Sequence, residues 1–159
     1  MEFFYPNWIN DFWRIMGLIH FGDKGHFEAE GAKSFDKEKI VAFCNEAGIA
    51  LFDTARKVRR LRDNADDNFL EIVEGTDVHA LLSQMLECRT IVTTGGKASE
   101  ELQTYFESHG ANIKIPKVGE YVDLPDGLRW WRMPSSSRAY PMKLENKAEH
   151  YRKLFEAER

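Results

Sequence analysis

Apolar and polar positions along this chain fall into blocks that read alternately as helix and strand. Residues 36–47 form an amphipathic pattern, with Ser34 or Asp36 placed to cap a helix and Gly48 placed to stop it. Residues 49–53 (Ile-Ala-Leu-Phe-Asp) follow as a short apolar run that predicts a buried strand. A helical pattern returns over 78–86. Residues 90–94 (Thr-Ile-Val-Thr-Thr) predict a β-branched strand closed by Gly95 and Gly96. A third helix is predicted over 99–109, ending at Gly110, then a brief strand over 113–115 and a further strand over 128–133 that Pro134 ends. A polar amphipathic helix over 143–158 closes the series, and the glycine-bearing region 20–33 predicts a long loop.

Alternation of this kind predicts an α/β fold, doubly wound as a three-layer α/β/α sandwich with a short, mostly parallel sheet, in one domain over residues 1–159. In such sheets ligands sit beyond the carboxyl ends of the strands. That directs attention to three loops: Asp53-Thr54-Ala55, Gly95-Gly96-Lys97 and Ser135-Ser136-Ser137-Arg138.

The N-terminal stretch stands outside this alternation. Phe3, Phe4, Tyr5, Trp8, Phe12 and Trp13 place six aromatics within eleven residues. So much apolar area at a terminus must enter a core or present a stacking surface. The chain as a whole is 43% hydrophobic and 30% charged, which suits a globular domain with a real core.

Charge narrows the partners. A formal net charge of −4 argues against holding long nucleic acid by bulk charge, yet leaves room for local basic patches. Arg56, Lys57, Arg59, Arg60 and Arg62 form one such run, and Arg129, Arg132, Arg138 and Lys143 a looser second group; each also fits plain solvated surface. Cys44 and Cys88 lie in apolar contexts and read as reduced structural thiols. The five histidines are scattered, and none stands at ligand spacing from another His or Cys, so no metal is expected. With no leader pattern and no apolar run long enough to span a bilayer, a cytoplasmic protein without a membrane partner or cofactor is expected.

The three loops carry signals of different strength. Gly95-Gly96-Lys97 lacks the rest of a phosphate-binding loop, because Ile91 and Ala98 stand where a Gly and a Ser or Thr are required. Two readings remain for it: a tight strand-to-helix turn, or backbone amides at a helix N-terminus near a phosphate. The three serines after Pro134 would let backbone approach a phosphodiester and would donate to it, as would an ordinary linker. Asp53 at a strand end would accept from ligand N–H groups or cap the following turn. No Gly-x-Ser-x-Gly elbow surrounds these serines, which excludes the common serine-hydrolase arrangement.

Tyr5-x4-Asn10-x-Phe12-Trp13, then Gly48-Ile-Ala-Leu-Phe-Asp53, then Ile91-Val-Thr-Thr-Gly-Gly-Lys97, then Met133-Pro-Ser-Ser-Ser137 resembles the uracil-DNA glycosylase superfamily. The similarity is greatest to its hypoxanthine-DNA glycosylase branch and extends over nearly the whole chain. The resemblance implies base-excision repair: a deaminated base, uracil or hypoxanthine, is flipped out of DNA and its N-glycosidic bond is hydrolysed. It also implies roles. Asn10 would be catalytic, placing the water or contacting substrate. Tyr5 would stack on the flipped base and Asp53 would read its edge. Ser135, Ser136 and Ser137 would grip the DNA, with Arg138 added as a phosphate contact on grounds of charge. Two departures accompany it. Trp8 occupies the position of a family proline, and the chain is expected to lack the family's first central strand and its Gly-x-x-Pro-Gly-like loop. Loss of a central strand predicts marginal stability or a sheet closed in another order. Two other readings of the chain are a catalytically silent DNA- or nucleobase-binding member of the same fold and an unrelated α/β small-molecule-binding domain.

Overall fold

The computed structural model describes residues 4–52, 55–60, 70–75 and 77–158, the segments 55–60 and 70–75 by their backbone alone. The chain contains both helices and a small mixed sheet, so the α/β class predicted from the pattern holds. The chain divides into two compact units. One comprises residues 1–52 and 134–159, and the other residues 53–133.

The first unit is helical. Helix α1 (Phe12–Phe21) grows directly out of the aromatic stretch and ends on Gly22, in the left-handed conformation. Its first six residues are all buried, including Arg14. Its N-terminal half is therefore buried on every side and shows no apolar stripe, whereas His20 and Phe21 at its end are exposed, and the pattern of the sequence did not reveal the helix. Helix α2 (Lys37–Ala47) matches the expected segment, and the Asp36 carboxylate caps it by accepting from Lys39 N–H. Helix α5 (Leu144–Ala157) packs on α1. Phe12 meets Tyr151 edge to face, Trp13 meets Phe27, and Phe27 meets Phe43, which joins α1, α2, α5 and the intervening loop in one aromatic core. The loop after α1 presses close: a Cβ on Gly17 would come within 2.5 Å of the Asp23 carbonyl oxygen, so no larger residue fits there.

The second unit holds both sheets. Strands β1 (Ala55–Arg60) and β2 (Leu70–Gly75) form an antiparallel hairpin that the sequence pattern did not suggest. Arg56, Lys57, Arg59 and Arg60 of the basic run thus fall on β1, Arg62 lies outside the described residues, and the register sets Lys57 opposite Glu74 and Arg59 opposite Glu71. After α3 (Val78–Ser83), strand β3 (Thr90–Thr94) leads into α4 (Gly96–Ser108). Strands β4 (Tyr121–Asp123) and β5 (Arg129–Met133) complete a three-stranded sheet in the order β3-β5-β4. Strands β3 and β5 run parallel, as a doubly wound pattern requires, but β4 is antiparallel to β5. The sheet is therefore mixed, not mostly parallel. Leu102 and Phe106 of α4 pack with Leu124 on Trp130, whose indole N–H donates to Thr93.

Two expected strands are not formed. Ile49 N–H closes the end of α2 by donating to the Cys44 carbonyl, and residues 49–52 continue without strand pairing while Phe52 is exposed. At 113–115, the side-chain amide of Gln103 donates to the Ile113 carbonyl, and Ile113 and Ile115 pack beside Trp130 as irregular chain. Short apolar runs look alike whether they pair or simply pack.

Candidate functional site

Six of the seven residues singled out for the site lie in the first unit. The seventh, Asp53, lies outside the described residues. Asn10 and Ser137 face each other as an isolated antiparallel bridge, and the Asp11 N–H donates to the Ser136 carbonyl at 2.8 Å. The fold thus joins the start of α1 to the serine loop, at the far end of the sequence.

Within that junction most polar atoms serve the structure. Asn10 is half-buried and its Oδ1 accepts from the Phe12 N–H at 2.9 Å, satisfying one of the free amides at the start of α1. Tyr5 has φ 54° and lays its ring on Phe12, with centroids 4.4 Å apart and planes 26° apart. One of its faces is thereby occupied. The Ser135 hydroxyl accepts from Ser137 N–H, and the Ser137 hydroxyl from Ala139 N–H, both turns typical of serine loops. Ser136 is buried. Arg138 is half-exposed and donates from Nε to Asp11.

The charged centre of the junction is a set of residues that sequence reasoning passed over. Asp11 and Arg14 are both buried and pair at 3.0 Å. From Nη1, Arg14 also donates to the Trp8 and Asn10 carbonyls, and from Nε to Glu28. Its guanidinium lies over the Trp8 ring at 4.4 Å and over Phe35 at 5.2 Å. A lone arginine inside Phe-Trp-Arg-Ile-Met was the available signal, since a charge inside so apolar a run must find partners. Lys147 is 1% exposed and donates to the Ser137 carbonyl at 2.8 Å. It lies on the buried stripe of α5 with Ala148, Tyr151 and Leu154, where nothing in a polar helix pattern marks it.

Two of these groups have displaced proton affinities. Burial pulls the Lys147 ammonium below the usual lysine range, with Arg138 acting in the same sense and Asp11 against it. Burial, and then the nearby Tyr5, push the Tyr151 phenol well above its ordinary value; its hydroxyl donates to the Pro134 carbonyl. Between its lowered native value and the ordinary lysine value, Lys147 is protonated only in the unfolded chain, so its contribution to stability rises with pH. Tyr151 acts oppositely: above the ordinary tyrosine value the unfolded chain has lost a proton that the native chain keeps, so stability falls with rising pH. The stability of Lys147→Met relative to the native protein is therefore expected to be highest at neutral pH and to fall as pH climbs toward the ordinary lysine value. Paired thermal melts across that range check this, and a pH-independent difference would refute it.

In the second unit, Gly95 has φ 84° and its N–H donates to the Met133 carbonyl, while Ser99 and Thr93 share a hydrogen bond and the Ser99 hydroxyl donates to the Gly95 carbonyl. Lys97 pairs with Glu101. These contacts account for the loop as a tight strand-to-helix turn. His79 and His109, far apart in sequence, bring their rings to 5.1 Å, yet among the described residues no group of three metal-ligating side chains forms.

No family model, curated protein or solved structure matches this chain. Among the described residues, no helix is long and apolar enough to cross a membrane.

Proposed function

We propose that this protein is a DNA base-excision glycosylase of the uracil-DNA glycosylase type, acting in the cytoplasm on DNA that carries uracil or hypoxanthine. The observation that carries the proposal is the meeting of Asn10 with Ser137, reinforced by the Asp11–Arg138 pair, whose members lie 127 residues apart. A monofunctional glycosylase needs a polar group that orients water and a backbone-gripping loop on the same face of the flipped nucleotide. An asparagine amide suits the first task because it offers donor and acceptor without titrating. Oδ1 of Asn10 has a second lone pair beside the one that takes the Phe12 N–H. The same proposal carries the finer architecture, a three-layer α/β/α sandwich, with Asp53 at the base edge.

A second reading, a catalytically silent member that binds DNA or a nucleobase, is favoured by one observation. The Asn10 amide oxygen and two serine hydroxyls already serve local turns. Duplexes carrying uracil or hypoxanthine, incubated with the protein and then cleaved with alkali, separate the two. Strand cleavage at the modified base is expected. Salt-dependent binding without any abasic product would leave only the silent reading.

A further inference from the structure

The first unit contains a cavity of about 390 Å³ whose wall includes Trp8, Asp11, Arg14, Lys24, Glu28 and Arg138. We propose that this cavity is a binding site for a phosphate-class oxyanion, with Arg14, Lys24 and Arg138 as its ligands. The proposal goes beyond the glycosylase reading and does not depend on it.

The argument begins with the charges already matched. Asp11 Oδ1 takes both Arg14 Nη1 and Arg138 Nε, and Glu28 takes Arg14 Nε. Three cations thus face two carboxylates, and both carboxylates are engaged. What remains unused are donors. Among the described residues, Arg14 Nη2, the terminal nitrogens of Arg138 and the Lys24 ammonium have no hydrogen-bond partner. Arg14 Nη2 is not sealed from the open space, because Arg132 Nε is the one sealed side-chain nitrogen or oxygen without a partner among the described residues.

Arg14 is also held in place in advance. Its side chain is 6% exposed, four donations fix its plane, and the Trp8 and Phe35 rings flank it. An arginine ordered before binding loses little entropy when it takes an oxyanion. Arg138 and Lys24 are exposed and add longer, adaptable donors at the rim. A single excess positive charge, three separate donors and a cavity roomier than a lone carboxylate needs point to tetrahedral phosphate chemistry. That chemistry is shared by a nucleic-acid phosphodiester and by free phosphate or a phosphate monoester.

Titration of the full chain with inorganic phosphate, read through the Trp8 indole N–H in heteronuclear NMR, tests the site. Saturable shifts are expected, weakened by about tenfold in Lys24→Gln and again in Arg138→Gln, the loss of one charge-assisted hydrogen bond each. Both substitutions fall on exposed side chains, so folding is retained; native-like spectra verify this. A short single-stranded oligonucleotide forms the second arm. Displacement of phosphate by the oligonucleotide identifies the source as a nucleic-acid backbone. Phosphate binding that the oligonucleotide leaves untouched identifies a free phosphate or monoester; the anion site then stands, and the DNA reading loses this face. No saturable phosphate binding, or binding unchanged in the double variant, overturns the site.

Discussion

Replacing Arg14 with methionine is expected to destabilise the protein by about 3 kcal/mol, at the lower end for breaking a buried ion pair. The side chain is buried on the first turn of α1 and satisfies Asp11, Glu28 and two main-chain carbonyls at once. Methionine keeps much of the packing against Trp8 but none of the donors. Asp11 retains Arg138, which limits the loss, while the Trp8 and Asn10 carbonyls lose this donor. Arg14→Lys is expected to recover less than half of the difference, because a lysine ammonium cannot span Glu28 and Asp11 or stack flat on the indole. Urea unfolding of the three proteins provides the comparison. A cost below about 1 kcal/mol for Arg14→Met would place the pair in the class of surface ion pairs and contradict its structural role.

Substitutions at Asn10 are expected to separate catalysis from capping. Asn10→Ala removes the acceptor for the Phe12 N–H and should cost about 1 kcal/mol. Asn10→Ser keeps an acceptor suited to the start of a helix and should leave stability within a few tenths of a kcal/mol. Both lose the amide that would orient water. Both are therefore expected to lose roughly 10²-fold or more in single-turnover excision, the scale of a misplaced reactant. Excision that falls only in the alanine variant, in step with its stability, would make Asn10 a capping residue and nothing more.

Much of the chain was legible before its structure. Helix α2 with its Asp36 cap, strand β3 and its glycine turn, strand β5 ending at Pro134 and helix α5 all lie where period and punctuation put them. These elements are amphipathic or bounded by strong local signals, so their local sequence suffices. Helix α1 was illegible because its N-terminal half is buried on every side, and the unpaired run at 49–52 because a short apolar segment carries no information about its partner. Of the site, the sequence suggested Asn10 and the serine loop, and the fold does join them.

What the sequence determined by itself, then, was the α/β class, helices α2 to α5, strands β3 and β5, and the unusual weight of the aromatic N-terminus. Their physical basis is local: side-chain period, caps and turn residues act within a few positions. Only the tertiary structure decided that a helix begins at the end of the aromatic stretch, that β4 turns the sheet mixed, and that Asp11, Arg14, Arg138 and Lys147 meet at the serine loop. Charge pairing between distant segments leaves no periodic trace in sequence. It arises only when burial brings those segments together and obliges each polar group to find a partner.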